Sequence, residues 1–355
     1  MSDFRLFYAF TSGMVLACVF FVATSAFAGN NQPGINKKEA GILDLTEYQT
    51  RDGLLTTFRH GDVADPYFGL YSLELARRAG MDIRKTALGF IRWGLLNQQS
   101  DGRFGRYCRQ DDGSWKYCGR ADSDDATLAR WLQLLVSQSD DRPLPSLWQF
   151  SFDRALKALM SLRMDNGIYS VYPHGTRGYT GYALFKDNVE VLNALNSLAQ
   201  YFRRTGNETQ ARRFEQDAGA LRNAMENAFG QDIFALKKLA LNAEYDRPRF
   251  YPHAVAVPFA WMEGYGPRPS RADAIRWLAL YDQDWKNMAR TNYPWGLMAL
   301  ALMDAGMTER AVRWYEDNQH WRQKGEHWNI LEETCARIIH YRLLSRNGGE
   351  QGWKK

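Results

Sequence analysis

A short signal that ends a pair of helical patterns recurs at a nearly constant interval along this 355-residue chain. It reads Asp101-Gly-Arg-Phe104, then Asp165-Asn-Gly-Ile-Tyr169 and then Gln231-Asp-Ile-Phe234. No segment alternates apolar and polar residues convincingly, as a half-buried strand would. Repeated helical hairpins make a quasi-repeat architecture. An open solenoid is the alternative, but the sequence shows no constant repeat of about 34 to 47 residues. At this length, the sequence predicts an all-α fold in which hairpins close into a double ring, an (α/α)6 toroid.

The apolar period predicts about twelve helices. Pro66 suits a first helical position and Gly80 a helix end, while Asp187 with Glu190 resembles a capping box. The predicted segments are Pro66–Ala79, Thr86–Gln98, a helix starting at Ser123, Ser151–Arg163, Asp187–Thr205, Glu208–Phe229, Pro252–Met262, Arg271–Leu280, Pro294–Ala305, Thr308–Gln319 and His327–Ser345.

The first 28 residues have the pattern of a secretory signal. Arg5 gives a weakly positive start, residues 14–23 are apolar, and Ala26-Phe-Ala28 fits a cleavage site. An uncleaved anchor is the alternative, but the apolar run is short for a spanning helix. We expect a signal peptide at 1–28, a leader segment at 29–60, the toroid at 61–345 and a tail at 346–355. The mature protein would be periplasmic or secreted, with no stable membrane span.

The cysteines and the charge exclude several kinds of site. Cys108 and Cys118 flank a polar loop, and an exported protein meets an oxidising compartment, so we expect a disulfide there. Cys335 lies on the apolar face of a predicted helix and should be a buried thiol. The cysteine spacing suggests no metal site, and we expect no cofactor. The net charge is only +5 without a basic stripe, which argues against nucleic acid as a partner.

Carboxylates crowd the start of the helix that follows Arg120. Ser123 is a favourable N-cap, and acids are favoured beside the positive end of a helix. Asp124 also lies on the apolar stripe formed by Leu128, Trp131 and Leu135. A carboxylate at the mouth of a buried face suits acid–base or sugar-binding chemistry, whereas capping alone is the simpler alternative.

The loops are rich in aromatic residues. Aromatic residues make up 14% of the whole chain, including those of the predicted core. Tyr179 lies in a Gly/Tyr-rich loop that leads to Asp187, and Trp295 and Trp328 lie in or beside later loops. Flat rings near polar groups suit carbohydrate faces, although most should be core packing. Asp187 could bind a ligand or cap its helix, and Glu332 could be a buried partner for an arginine or a further acid.

Three local stretches resemble glycoside hydrolase family 8 within the six-hairpin glycosidases. Ala121-Asp-Ser-Asp-Asp-Ala-Thr-Leu-Ala129 is similar to the family segment that binds sugar at the cleavage point, which implies that role for Asp124 or Asp122. Tyr67-Phe-Gly-Leu-Tyr71 is similar to the first family helix, which follows the general acid. His253-Ala-Val-Ala-Val-Pro258 is similar to the stretch that carries the general base. Across most of residues 60–340 the resemblance lies in the general arrangement of helices and loops, and it is specific only in these short stretches.

The resemblance departs from the family at both catalytic positions. The family's Ser-Glu-Gly is replaced by Val63-Ala64-Asp65, so Asp65 or the displaced Asp62 would be the acid. His253 stands where the family has an aspartate base, and a neutral histidine can act as a base near pH 7.

The function predicted from these residues is hydrolysis of a β-linked polysaccharide after export, with Asp65, Asp124 and His253 as catalytic residues. Asp122, Asp125, Tyr179, Asp187, Trp295 and Trp328 are the predicted substrate-binding residues. Partners would be the polysaccharide and machinery for exopolysaccharide synthesis or export. Two alternatives remain open, namely a polysaccharide lyase on an anionic glycan and a non-catalytic glycan-binding or export protein.

Overall fold

A computed structural model describes residues 41–176, 180–234, 236, 238–242 and 250–350. Within these ranges the chain forms twelve α-helices. They are α1 (Pro66–Arg78), α2 (Arg84–Asn97), α3 (Asp124–Ser137), α4 (Ser146–Met160), α5 (Phe185–Arg204), α6 (Glu208–Phe229), α7 (Val255–Met262), α8 (Arg271–Thr291), α9 (Gly296–Asp304), α10 (Thr308–Asp317), α11 (Gln319–Lys324) and α12 (Ile330–Glu350).

Six of these helices form a closed inner ring. In order they are α1, α3, α5, α7, α9 and α12, each packed against the next, and α12 packs against α1 to close the ring. Most of the helices between them, α2, α4, α6, α8 and α10, lie outside and return the chain to the same end. The predicted all-α toroid is confirmed.

The burial pattern explains which helices lie inside. Almost every residue of α3 is buried, including Arg130 and Gln133, because α3 is covered by neighbours on all sides. Helix α6 instead buries a single stripe, formed by Ala211, Phe214, Ala218, Leu221 and Met225. A one-sided stripe at helical spacing is typical of a helix with one face in solvent.

Residues 41–60, at the end of the predicted leader, pack into the same core as the toroid. Leu43, Leu45, Leu54 and Leu55 are each at most 2% exposed and belong to the main apolar cluster. Within the described residues, no helix is long and apolar enough to cross a membrane.

The structure contains a β-hairpin that the helical interpretation of the chain missed. Strands β2 (Gly105–Arg109) and β3 (Trp115–Arg120) pair antiparallel, and β1 (Val63–Ala64) joins β2 on its other edge. Cys108 and Cys118 form a disulfide across this hairpin, with a Cα–Cα distance of 5.7 Å, while Cys335 is a buried free thiol. Most of β3 is exposed, so the strand lacks the apolar alternation that would have predicted it. A second small sheet pairs β4 (Ala183–Leu184) with β5 (Ala240–Leu241).

Several helix bounds differ from the predictions. Helix α4 starts at Ser146, five residues earlier than expected, and α8 continues to Thr291 instead of ending at Leu280. The extension of α8 buries Trp285, whose indole N–H donates to the Pro294 carbonyl at 2.9 Å. This tertiary contact outweighs the polar composition of the segment.

Candidate active site

The amino-terminal ends of the inner helices gather at one rim of the toroid. Each inner helix is followed by a returning segment, so all six inner helices run in the same direction. Acidic residues at these helix starts include Asp65, Asp122, Asp124, Asp187 and Glu332. Positive helix ends attract carboxylates, and here several such ends face one mouth.

Asp122 lies at the centre of this mouth. It immediately precedes α3, its side chain is exposed, and its backbone carbonyl accepts a hydrogen bond from the Tyr172 hydroxyl at 2.6 Å. The negative charge of Asp122 raises the pKa of Asp65 on one side and that of Asp187 on another. Its charge also raises the pKa of the hydroxyl of Tyr293, which lies before α9. One carboxylate therefore interacts with groups at the starts of three inner helices, α1, α5 and α9.

Asp65 caps the first inner helix from a buried position. Its Oδ1 accepts from the Tyr67 backbone N–H at 3.2 Å, and its Oδ2 lies 3.1 Å from Nη2 of Arg106 in β2. Burial and the charge of Asp122 raise the pKa of Asp65 to about 6, although Arg106 opposes them. Near neutral pH this carboxyl is poised between its acid and base forms.

Asp124 sits beside the mouth, on the first turn of α3. Nε of Arg103 lies 3.5 Å from its Oδ2. Burial raises its pKa to about 6, against the charges of Arg103 and Arg120. Ser123 occupies the N-cap position, but its hydroxyl makes no capping bond, and the described residues offer it no partner.

Asp187 and Glu190 do not form the capping box that the sequence predicts. Helix α5 starts earlier, at Phe185, so both acids point inward around Lys186. Nζ of Lys186 lies 3.3 Å from Asp187 and 3.5 Å from Glu190. Burial raises the pKa of Asp187 to about 7, while Lys186 lowers it. Asp187 thus belongs to the mouth and Glu190 to the layer below it.

Asp125 lies beneath the mouth instead of in it. It is fully buried, and its Oδ1 accepts from the Ala126 backbone N–H at 2.8 Å. Burial, reinforced by the charge of Asp187, raises its pKa well above the ordinary value. Asp125 thus lies deeper than Asp122 and Asp124, and its predicted role in substrate binding stays a prediction.

Glu332 caps another inner helix. Its two carboxylate oxygens accept from the backbone N–H groups of Trp295 and Gly296, at 3.1 and 2.7 Å. Burial raises its pKa to about 8, although both hydrogen bonds oppose that shift. Its structural partner is therefore the start of α9, and not an arginine.

The aromatic predictions have different outcomes. Trp295 is half-buried at the start of α9, and its ring stacks on Tyr251 with centroids 5.9 Å apart. Trp328 is only 1% exposed, stacks on Trp314 and donates its indole N–H to Glu333 at 3.0 Å. Trp328 thus packs in the core, and its predicted contact with a substrate stays a prediction. Tyr179 lies outside the described residues.

His253 lies in the π-helical turn Phe250–Ala254, which leads into α7, and its side chain is half-buried. This position places it at the start of an inner helix. Its proposed role as a base stays a prediction.

Sequence reasoning missed the cations of the site. Arg103 lies just before β2, Arg106 lies within β2, and Lys186 precedes Asp187 in the chain. Nothing in the spacing of the two arginines pointed to carboxylates, because the hairpin that carries them was not predicted. Among the described residues, no group of three or more His, Cys, Asp or Glu side chains is arranged to hold a metal ion.

Comparisons with known proteins support the fold. An α-amylase from Clostridium perfringens matches with a TM-score of 0.54 and 9% identity, covering 84% of this chain and 95% of that one. A glycosidase variant matches with a TM-score of 0.51 and 13% identity, covering 83% and 87%. At such identities the likeness shows the fold alone. No protein-family model and no curated protein matches the sequence.

Proposed function

We propose that this protein is a glycoside hydrolase whose active site is the acidic mouth of the toroid. The observation that carries this proposal is the gathering of carboxyl groups, buried Asp65 and exposed Asp122 among them, at the starts of the inner helices. Glycoside hydrolysis commonly uses two carboxyl groups, one protonated and one ionised. Two neighbouring carboxyl groups in unlike environments separate into such a pair, because the ionised one holds the proton on the other.

In this proposal Asp65 is the general acid and exposed Asp122 is the carboxylate that activates water or attacks the anomeric carbon. Asp65 donates its proton to the leaving glycosidic oxygen. Asp124 binds the sugar beside the cleaved bond, where the family resemblance also places a carboxylate. Trp295 and Tyr251 supply an aromatic wall against which a sugar ring can pack. His253 remains the competing candidate for the base.

The substrate linkage and the compartment are parts of the same proposal. A β-linked polysaccharide is inferred from the resemblance to family 8, whereas the matching α-amylase makes α-glucans a necessary comparison. Export to the periplasm or the medium is inferred from the amino-terminal signal pattern. An enzyme in that place would act on exopolysaccharide during or after its synthesis and export.

The test measures the release of reducing ends from soluble β-glucans, chitosan and starch by the purified protein. Asp122→Asn and Asp65→Asn should each lower the rate by about 100-fold or more, as loss of a general acid or base does. Asp153→Asn is the matched control, since Asp153 is an exposed residue on outer helix α4. His253→Ala decides between the two candidate bases, because only the true base should give a loss of that size.

Three outcomes would contradict the hydrolase. Products with an unsaturated ring that absorbs ultraviolet light would indicate a lyase. Binding of glycans without cleavage would indicate a binding protein. Cleavage that survives both Asp65→Asn and Asp122→Asn would place the chemistry elsewhere.

A further inference from the structure

Apart from the mouth, a cavity of about 440 Å³ opens between helices α8, α10 and α11. Such a volume lies within the range of roughly 300–1,000 Å³ typical of small-molecule sites. Its lining includes Pro294, which is flanked in sequence by Tyr293 and Trp295 of the mouth. One short segment therefore separates this cavity from the proposed active site.

The charges around this cavity differ in sign from those of the mouth. Four cations line it, against two carboxylates, Asp282 and Asp317. Asp282 already pairs with Lys286 at 2.7 Å and with Arg310. The two remaining cations, Arg290 and Arg313, are exposed and have no ion-pair partner among the described residues. The cavity therefore offers two guanidinium groups to a ligand.

Three tryptophans contribute to the walls of the cavity, and two of them, Trp285 and Trp314, are largely buried. The indole N–H groups of Trp285 and Trp314 both donate to the Pro294 carbonyl, at 2.9 and 2.8 Å, so their polar atoms are satisfied. Trp321 is half-buried and lines the opening. Flat apolar rings beside arginines suit a sugar that carries a carboxylate or sulfate, because the ring packs on its C–H face while the guanidinium binds the anion.

We propose that this cavity binds an acidic sugar unit of the polysaccharide, with Arg290 and Arg313 as the anion-binding residues. The inference rests on the proposed function and names its substrate class, a glycan with acidic units near the cleaved bond. The carboxylates of the mouth repel an acidic unit, whereas the cavity attracts it. The two sites together would place a neutral unit at the cleavage point and an acidic unit beside it.

The experiment measures binding separately from cleavage, by titration calorimetry on Asp122→Asn protein. The probes are a short β-linked oligomannuronate and its methyl ester, which keeps the sugar and removes the charge. The ester should bind at least about 10-fold more weakly, since hydrogen bonds to charged groups are the stronger ones. Adding Arg290→Gln and Arg313→Gln together should weaken oligomannuronate binding by a similar factor and leave ester binding unchanged.

Arg212→Gln with Arg213→Gln is the matched control, because both residues are exposed on outer helix α6 and the charge change is the same. This control should bind like its parent. Both double variants should unfold at the parent temperature, which separates lost binding from lost folding.

The inference is overturned if the parent does not bind oligomannuronate, or if the Arg290/Arg313 variant binds it as well as the control does. Equal competition by poly-glutamate would also overturn it, since that would indicate a site for acidic peptide. If the cavity binds as proposed but wild-type protein cleaves no glycan, the hydrolase proposal fails and the binding site remains.

Discussion

Buried carboxyl groups in two regions of this molecule have opposite protonation behaviour. At the mouth, burial raises the pKa of Asp65 and Asp124 to about 6 and that of Asp187 to about 7. At the carboxyl-terminal end of inner helix α7, burial also acts on Glu263, but Arg130 and Arg78 outweigh it and lower the pKa to about 2. The residue type and the degree of burial are similar, so the difference comes from the partners.

The partners differ in number and in geometry. Oε1 of Glu263 accepts from Nη2 of Arg130 at 2.7 Å, and Arg78 donates to both carboxylate oxygens at 3.0 Å each. Among the described residues, Asp65 pairs with one cation, Arg106, which is itself part-exposed, and the charge of a second carboxylate, Asp122, acts on it. Paired acids deep in the ring hold the helices together, whereas underpaired acids at the mouth can exchange protons near neutral pH.

The largest expected effect comes from removing Arg130, which pairs with both Glu190 and Glu263. Arg130→Met leaves Glu190 and Glu263 buried without their shared cation, which should lower the free energy of unfolding by about 3–5 kcal/mol. Urea denaturation would measure it, with Arg212→Met on the surface as the control. A loss below about 1 kcal/mol would mean that Arg78 and Lys186 suffice for the two acids.

The second prediction concerns stability against pH. Asp187 has a folded-state pKa of about 7 against an ordinary value of 3.8, so the unfolded chain releases its proton first as pH rises. The protonation of Asp187 therefore lowers the free energy of unfolding progressively as pH rises from 4 to 7. Glu263 has the opposite sign, because its lowered pKa gives stability that is lost as pH falls from 4.5 towards 2.

Stability should thus be highest near pH 4 to 5 as far as these groups decide it. Asp187→Asn should flatten the decline between pH 4 and 7 by at least about 1 kcal/mol, since one pKa unit corresponds to about 1.4 kcal/mol. Denaturation curves at several pH values check this, with Asp153→Asn as the control. An unchanged slope in Asp187→Asn would show that the mouth does not hold this proton.

The third prediction concerns Arg106, the cation that pairs with Asp65. Arg106→Gln removes a charge that lowers the pKa of Asp65, so that pKa should rise from about 6 by up to about one unit. If Asp65 is the general acid, the alkaline limb of kcat/KM should move upward by the same amount. A limb that stays in place, or moves down, would exclude Asp65 as the acid.

The smallest effect is expected at Ser123. Its hydroxyl makes no capping bond to α3, so Ser123→Ala should change the free energy of unfolding by less than about 0.5 kcal/mol. Ser270 is the contrast, because it forms a capping box with Asp273 at the start of α8, and Ser270→Ala should cost about 1 kcal/mol. Equal losses in thermal denaturation would show that Ser123 caps its helix after all.

The sequence by itself determined the helical architecture and the cysteine pair. Apolar residues at helical spacing must be buried against other helices, and the bounds of α6 follow from that pattern alone. The acidic start of α3 was also visible, because Asp122, Asp124 and Asp125 are consecutive or nearly so.

Only the tertiary structure decided what each acid does. Helical spacing fixes a side chain's direction around its own axis, but not what the neighbouring helices place opposite it. The ring left Asp122 exposed, buried Asp125 beneath it, and turned Asp187 and Glu190 inward onto Lys186. It also covered Trp328 with Trp314 and brought Arg106 to Asp65 from a hairpin distant in sequence. Since burial and opposing charge set a carboxyl group's pKa, the chemistry of the mouth follows from packing between segments far apart in the chain.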